Sequence, residues 1–290
     1  MYEELYAHVS ESEAYLVRGP EQYACLRRFK SLARDVLSAK PSLTLDVGCG
    51  DGVYGIFFAH HSLEYVGADM SSQNLMRLNN WASRQNVKPS VSVVLCDVGH
   101  LPFRRNAFPL ILCTEVLEHL PEPDRALREI SNLNSQTLLV STPCIGGVLF
   151  DRMFEYKTQQ LDVAVRRMLA IEGVYLGLKR LYEARKDLHI TLFTRTKLLR
   201  MLRKAGFRIK STKGCAFHIP LLYWLASRST MVGRLLGRLE DILLSKLLIF
   251  RIMIWRGRIG NEFIIIKCER ERVSEKVPRK VDTQSWQRNQ

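Results

Sequence analysis

Three aspartates stand where apolar runs end: Asp46 after Leu43-Thr44-Leu45, Asp69 after Tyr65-Val66-Gly67-Ala68, and Asp97 after Val91 to Cys96. Just past the first of them lies Gly48-Cys49-Gly50-Asp51-Gly52, with glycines at alternate positions. A run of strand formers that turns through glycines into a helix near Val53 leaves backbone amides and a glycine-lined floor facing a ligand. Side chains there would hold a nucleoside-bearing ligand away from the main chain. Asp69 follows Gly52 at about the interval of a ribose-binding carboxylate in a nucleotide-binding βαβ unit. It can accept from both ribose hydroxyls, and no basic residue beside it is placed to take a 2′-phosphate. The competing role for Asp69, with Ser71 and Ser72, is to cap the next helix.

These residues need elements to carry them. Residues 1–40 read as a helical lead-in, in which Pro20-Glu21 starts a helix bearing Tyr23, Leu26, Phe29, Leu32, Val36 and Leu37 at helical spacing. Strands are expected at 43–47, 63–69, 91–96, 109–114, 136–140, 207–209 and 261–268. Helices are expected after Gly52, after Ser71, over 125–133 and over 197–205. Thr194 is a good N-cap for the last of these and Gly206 a natural stop. The dinucleotide fingerprint G-x-G-x-x-G fits less well, because counted from Gly48 its third glycine falls on Val53.

The run Asp46-x-Gly48-x-Gly50-x-Gly52 resembles the first motif of the class I S-adenosylmethionine-dependent methyltransferases. Pro109 to Leu120, an apolar strand running into Glu115-Val116-Leu117-Glu118-His119-Leu120, resembles the type 11 methyltransferases, which include quinone-biosynthesis enzymes. His189 to Thr194 and Gly206-Phe207 are also similar to family segments. The resemblance implies an α/β fold: a Rossmann-like, doubly wound seven-stranded sheet whose last strand runs antiparallel. It implies S-adenosylmethionine as cofactor, held by Asp46, Gly48, Cys49, Gly50, Gly52, Asp69, Met70, Asp97, Val98, Thr114 and Glu115. Asp97 would accept from the adenine amino group, with Met70 and Val98 on the faces of the ring. If the acceptor is a hydroxyl, a base must take its proton, and His189, His119 and Glu115 are the candidates. Two departures are plain: Pro109 stands where the family usually has an acidic residue, and Asn132-Leu133-Asn134-Ser135 replaces a glycine-rich turn.

The chain has 290 residues and a formal net charge of +14. Seven cysteines are scattered without a CxxC pair, which suits reduced thiols acting as small apolar residues at a cytoplasmic site of action. Pro143-Cys144 raises a nucleophilic thiol, but no flanking signature supports one. No metal is expected. The organisation read from the sequence is the lead-in 1–40, a cofactor-binding domain over 41–268 with helical insertions at 145–188 and 213–260, and a disordered tail over 269–290.

The second insertion concentrates the positive charge. Between 202 and 260 only Glu240 and Asp241 oppose a long series of Lys and Arg. Val232, Leu235, Leu236, Leu239, Ile242, Leu243 and Leu247 recur at helical spacing there. A cationic amphipathic segment suits an anionic membrane surface at the inner face of the membrane, or a lid over the site. Both insertions leave from strand ends where ligands bind, which implies a small-molecule, hydrophobic or lipid-linked acceptor methylated on oxygen or carbon. The alternatives are an RNA-binding methyltransferase and a catalytically inactive partner subunit of the same fold. The basic residues interleave with aliphatics rather than with exposed aromatics and glycines, so nucleic acid is not the expected partner. Oligomeric state stays open.

Overall fold

A computed structural model describes residues 20–144, 190–191, 193–214 and 263–270, together with the single positions 231, 235 and 239. In chain order it contains α1 (Pro20–Ala39), β1 (Leu43–Val47), α2 (Val53–Ala59), β2 (Glu64–Asp69), α3 (Ser72–Arg84), β3 (Val91–Leu95) and β4 (Leu110–Thr114). These are followed by α4 (Pro123–Asn132), β5 (Thr137–Pro143), α5 (Arg195–Lys204), β6 (Phe207–Gly214) and β7 (Phe263–Arg270).

The strands form one sheet in the order β3-β2-β1-β4-β5-β7-β6. The pairs among β1 to β5 are parallel, and β7 runs antiparallel to both β5 and β6. The inner strands are near-continuous apolar runs because helices cover both faces of the sheet. On one face α1, α2 and α3 bury Phe29, Leu32, Val36, Phe57, Phe58, Leu78 and Tyr65. On the other, α4 and α5 bury Leu127, Ile130, Leu198 and Leu202 against Leu45, Val47 and Ile111. Strand alternation therefore sends Leu45 and Val47 to the second face and Asp46 to the first, where it meets Tyr65.

From β1 the sheet grows one way through β2 and β3, and the other way through β4. The crevice at such a reversal, outside the carboxyl ends of β1 and β4, is where open α/β sheets bind ligands. That places the glycine turn after β1 beside the Glu115–His119 segment after β4.

Three strand ends differ from the sequence expectation. β5 continues through Ser141 and Thr142 to Pro143, and its register with β7 runs to Pro143↔Phe263. β6 continues through Lys213 and Gly214, and β7 through Glu269 and Arg270, so the sheet takes residues from what read as insertion and tail. Polarity hid these ends. Glu269 on the outer pair is matched by Arg208 at 3.2 Å and Lys210 at 2.7 Å, and Lys213 is bound to Asp35 of α1 at 2.7 Å. The insertion over 145–188, the rest of 213–260 apart from three positions, and the tail beyond Arg270 lie outside the described residues.

Candidate active site

The glycine turn is fastened to β2. The N–H groups of Gly48 and Cys49 both donate to the Ala68 carbonyl, at 2.7 and 3.1 Å. The Gly50 N–H donates to Asp69 Oδ2 at 2.8 Å, and Asp69 Oδ1 accepts from the Ser71 N–H at 2.8 Å. Helix capping thus falls to Ser71, whose hydroxyl accepts from Asn74 N–H, while Asp69 ties the turn to the strand tip and keeps an acceptor lone pair on each oxygen. Gly48 has φ +71°, and a Cβ there would meet Val116 at 2.4 Å, so the turn lies hard against the segment after β4. Gly50 has φ +55° and open space where a Cβ would point. Gly52 caps α2 through its backbone. Met70, beyond Asp69, is 80% exposed, which offers a thioether face to a flat ligand.

Asp97 is exposed. Its Oδ1 accepts from Gly99 N–H at 2.8 Å and its Oδ2 lies 3.7 Å from His100 Nδ1. Asp97 and Val98 open onto a cavity of about 280 Å³ whose other wall is Leu120, Pro121, Glu122, Ala126 and Arg125, the last of which also bonds to His100.

Asp46 is only 1% exposed. Its Oδ2 accepts from the Tyr65 hydroxyl at 2.8 Å, and its Oδ1 is buried with no hydrogen-bond partner among the described residues. Burial, opposed by the Tyr65 hydrogen bond and assisted by repulsion from Asp69, holds its pKa up at about 7. The Cys49 thiol is likewise pushed far up, by burial and then by the charges of Asp46 and Asp69, so it is no nucleophile. Cys144 is 4% exposed. The cysteine near the end of β3, Cys96, is raised by burial and then by Asp97 and Asp69. The charges of the three sequence-marked aspartates are therefore felt in pairs along the adjacent tips of β1, β2 and β3.

The second half of the crevice is built from side chains. Thr114 ends β4, half-buried. Glu115 follows with φ +56°, a left-handed backbone that costs a non-glycine residue about 1–3 kcal/mol and persists only when its surroundings fix it. They do so here. Arg28 of α1 approaches Glu115 Oε2 at 2.6 Å, Ser141 of β5 donates to Oε1 at 3.0 Å, and the Glu115 N–H donates to the Ser141 carbonyl at 2.9 Å. Glu118 is 1% exposed. Its Oε2 accepts from the Thr142 hydroxyl at 2.8 Å, and its Oε1 is buried without a partner. Burial first, and Glu115 second, raise its pKa to about 8. His119, next to it, is exposed. Thr191 closes this side, donating from N–H to the Glu118 carbonyl at 2.9 Å and from its hydroxyl to the Leu120 carbonyl at 2.8 Å. His189 lies outside the described residues.

Glu118, Arg28 and Thr142 were not among the sequence candidates. Glu118 carries a visible signal, three residues after Glu115 in the same short motif. Arg28 carries another: it precedes Leu32 and Val36 by four and eight residues, a cation on an otherwise buried helical stripe.

These residues fit a nucleoside sulfonium cofactor. The turn is bare of side chains at Gly50, a carboxylate with spare lone pairs stands at the tip of β2, and two buried carboxylate oxygens have no partner among the described residues. Among the described residues no group of three or more His, Cys, Asp or Glu could hold a metal ion.

Residues 45–136 match the family described as a methyltransferase domain. A ubiquinone biosynthesis O-methyltransferase of Neisseria meningitidis serogroup C is 27% identical over 176 residues, 60% of this chain and 67% of that protein. One from Coxiella burnetii is 31% identical over 97 residues, 33% of this chain, and the match spans only 41% of that relative. The fold is that of magnesium protoporphyrin IX methyltransferase from Synechocystis with bound SAH (TM-score 0.52, 14% identity, covering 86% of this chain and 84% of that one). With the sheet order, the glycine turn and the acidic tips, these likenesses make residues 45–136 a methyltransferase domain, set in a sheet with the class I S-adenosylmethionine-dependent fold, and S-adenosylmethionine is its cofactor.

Proposed function

We propose that this chain methylates a hydroxyl of a small, hydrophobic or lipid-linked molecule. The cofactor supplies an activated methyl group, so the protein's part is to align the acceptor, exclude water and take a proton. Alignment alone can be worth about 7–11 kcal/mol. The observation that carries the reading is the placement of a strained, side-chain-braced acidic segment, Glu115–His119, at the mouth of the crevice in a chain similar to O-methyltransferases from Neisseria meningitidis and Coxiella burnetii. Of the proton acceptors marked in the sequence, Glu115 is engaged by Arg28 and Ser141, and a neighbouring guanidinium weakens a carboxylate as a base. His119 is exposed beside it and takes the proton.

The test is transfer of a radiolabelled methyl group from S-adenosylmethionine into a lysate separated into lipid, small-molecule, protein and RNA fractions. Label in the lipid or small-molecule fraction, in an alkali-stable ether, is the expected result. Label in RNA or protein would overturn it. An absence of label, with S-adenosylhomocysteine still bound in calorimetry, would leave an inactive partner subunit.

A membrane-surface location for this activity is supported by Met231, Leu235 and Leu239. They are helical, 74%, 58% and 45% exposed, and fall at four-residue steps along one face, within the basic stretch. Among the described residues no helix is long and apolar enough to cross a membrane. Sedimentation with liposomes should show binding to anionic but not to neutral lipid, lost in Met231→Asp and Leu235→Asp. Indifference to lipid charge would remove this location without touching the chemistry.

A further inference from the structure

Donor and product of methyl transfer differ at the sulfur. S-Adenosylmethionine carries a sulfonium cation, S-adenosylhomocysteine a neutral thioether, and both keep the same amino and carboxylate groups. A site that releases its product quickly must respond to that one charge.

Two side chains here are built to do so. Asp46 and Glu118 are each 1% exposed, each has one oxygen hydrogen-bonded (to Tyr65 and to Thr142) and each has the other buried without a partner. They stand at the ends of neighbouring parallel strands, one below the glycine turn and one in the turn after β4, and the Cys113 thiol of β4 feels the charge of both. Around Asp46 the titratable groups are Tyr65 and Asp69 of β2 and Cys49 of the turn. Around Glu118 they are Glu115, Cys113 of β4 and Arg28 of α1, whose guanidinium is held by Glu115. Asp69 is the carboxylate beside Asp46, Glu115 and Arg28 offset each other beside Glu118, and among the described residues no cation is bonded to either carboxylate. An isolated charge in such a place is costly, so near neutral pH the free protein holds protons on these carboxyls.

We propose that Asp46 and Glu118 distinguish the charged donor from its uncharged-sulfur product: S-adenosylmethionine binds with ionisation of these carboxyls and expulsion of protons to solvent, whereas S-adenosylhomocysteine does not. One cation enters and the two carboxyls give up about one proton between them, so the net charge of the cleft is nearly unchanged. After transfer the cation is gone, the carboxylates recover protons, and the product loses its electrostatic hold. The inference rests on the methyltransferase reading and names the groups through which that site selects its donor.

Titration calorimetry on the full chain tests it, with each ligand measured in buffers of small and large ionisation enthalpy. At pH 7, donor binding should release roughly half a proton or more beyond product binding. At pH 9.5, where both carboxyls are ionised beforehand, the difference should vanish. The affinity ratio of donor to product should rise between pH 6 and pH 8.5, about tenfold for each pKa unit displaced. Asp46→Asn and Glu118→Gln should each reduce the proton difference at pH 7. The wild-type comparison of two ligands needs no variant to fold. Equal proton release by donor and product at pH 7, or a difference that survives in the double variant, overturns the proposal. Failure of both ligands to bind would remove the methyltransferase reading, and this proposal with it.

Discussion

The two sides of the crevice are assembled differently. On the β1–β2 side, beside the Tyr65–Asp46 pair, backbone amides do the fastening: Gly50 and Ser71 donate to Asp69, and Gly48 and Cys49 to the Ala68 carbonyl. On the β4–β5 side, side chains meet side chains: Arg28 with Glu115, Ser141 with Glu115, Thr142 with Glu118. The first arrangement depends on chain geometry and tolerates most side chains that keep it. The second depends on particular functional groups, drawn from a helix and two strands, and each loss leaves a buried partner exposed to its full desolvation cost. The first side carries the glycine turn expected to hold the donor, and the second carries Glu118, the proposed sensor of the donor's charge.

The contrast is broken most severely at Arg28. Methionine there keeps the length and apolar stem but leaves Glu115 facing Glu118 without compensation. Removing one partner of a buried pair costs about 3–5 kcal/mol, and the partial exposure of Glu115 puts this case at the lower end. Urea unfolding should show the loss, and Glu115→Gln in the same background should recover much of it. If the double variant is no more stable than Arg28→Met alone, the pair is not what holds this side together.

Next come the two glycines of the donor side, which should separate stability from binding. Gly48→Ala combines a left-handed backbone with a 2.4 Å approach to Val116 and should destabilise by about 2–4 kcal/mol. Gly50→Ala has the same backbone problem but open space around the new methyl. It should cost only about 1–2 kcal/mol while weakening S-adenosylhomocysteine binding by about tenfold or more, because that open space is where the turn is expected to receive the ligand. Equal effects of the two substitutions on binding would mean that Gly50 does not face the cofactor.

This difference in construction also explains what could be read in the sequence. The donor side is local. Asp46 to Gly52 is one unbroken stretch, Asp69 follows within one strand–helix–strand unit, and spacing alone places both. What spacing did not reveal was that Asp46 turns inward: its neighbours Leu45 and Val47 go to one face of the sheet, so alternation sends Asp46 to Tyr65 on the other. The β4–β5 side is non-local. Glu118 stood within the recognised Glu-x-x-Glu-His run, yet its burial depends on Thr142 across a strand pair and on Thr191 arriving after the first insertion. Arg28 could have been picked out as a lone cation in line with Leu32 and Val36. That it reaches Glu115 is a fact of packing. The ends of β6 and β7 were obscured because Lys213 and Glu269 look like surface chain until antiparallel pairing brings Arg208 and Lys210 to Glu269, and packing of α1 brings Asp35 to Lys213.

A smaller effect concerns pH. Asp46 and Glu118 are acids whose pKa is higher in the folded than in the unfolded chain, at about 7 and about 8. Between pH 4 and pH 8 the folded state therefore binds more protons than the unfolded state, so their contribution makes stability fall as pH rises through that window. Below pH 4 both states are protonated and the contribution is nil. A fall in stability between pH 5.5 and pH 8.5 is expected, read as a declining urea midpoint. Asp46→Asn should flatten the lower part of the curve and Glu118→Gln the upper. A stability that rises steadily across this range in the wild type and is unchanged in the two variants would contradict the burial argument for both.

The mildest probe uses the helix caps, because two of them are alike in chemistry and unlike in place. Ser71 caps α3 by accepting from Asn74 N–H, and Thr194 caps α5 by accepting from Lys197 N–H. Alanine at either should cost about 1 kcal/mol. Only Ser71, however, is also wired to the donor side, since its own N–H holds Asp69 Oδ1. Fraying of the first turn of α3 loosens that contact, and with it the grip of Asp69 on Gly50. Ser71→Ala should therefore weaken S-adenosylhomocysteine binding by about two- to threefold, equivalent to a few tenths of a kcal/mol, while Thr194→Ala leaves it unchanged at the same loss of thermal stability. Matching affinities in the two variants would show that Asp69 is fixed by the strand alone, and that the donor side needs even less from its surroundings than its backbone bonding suggests.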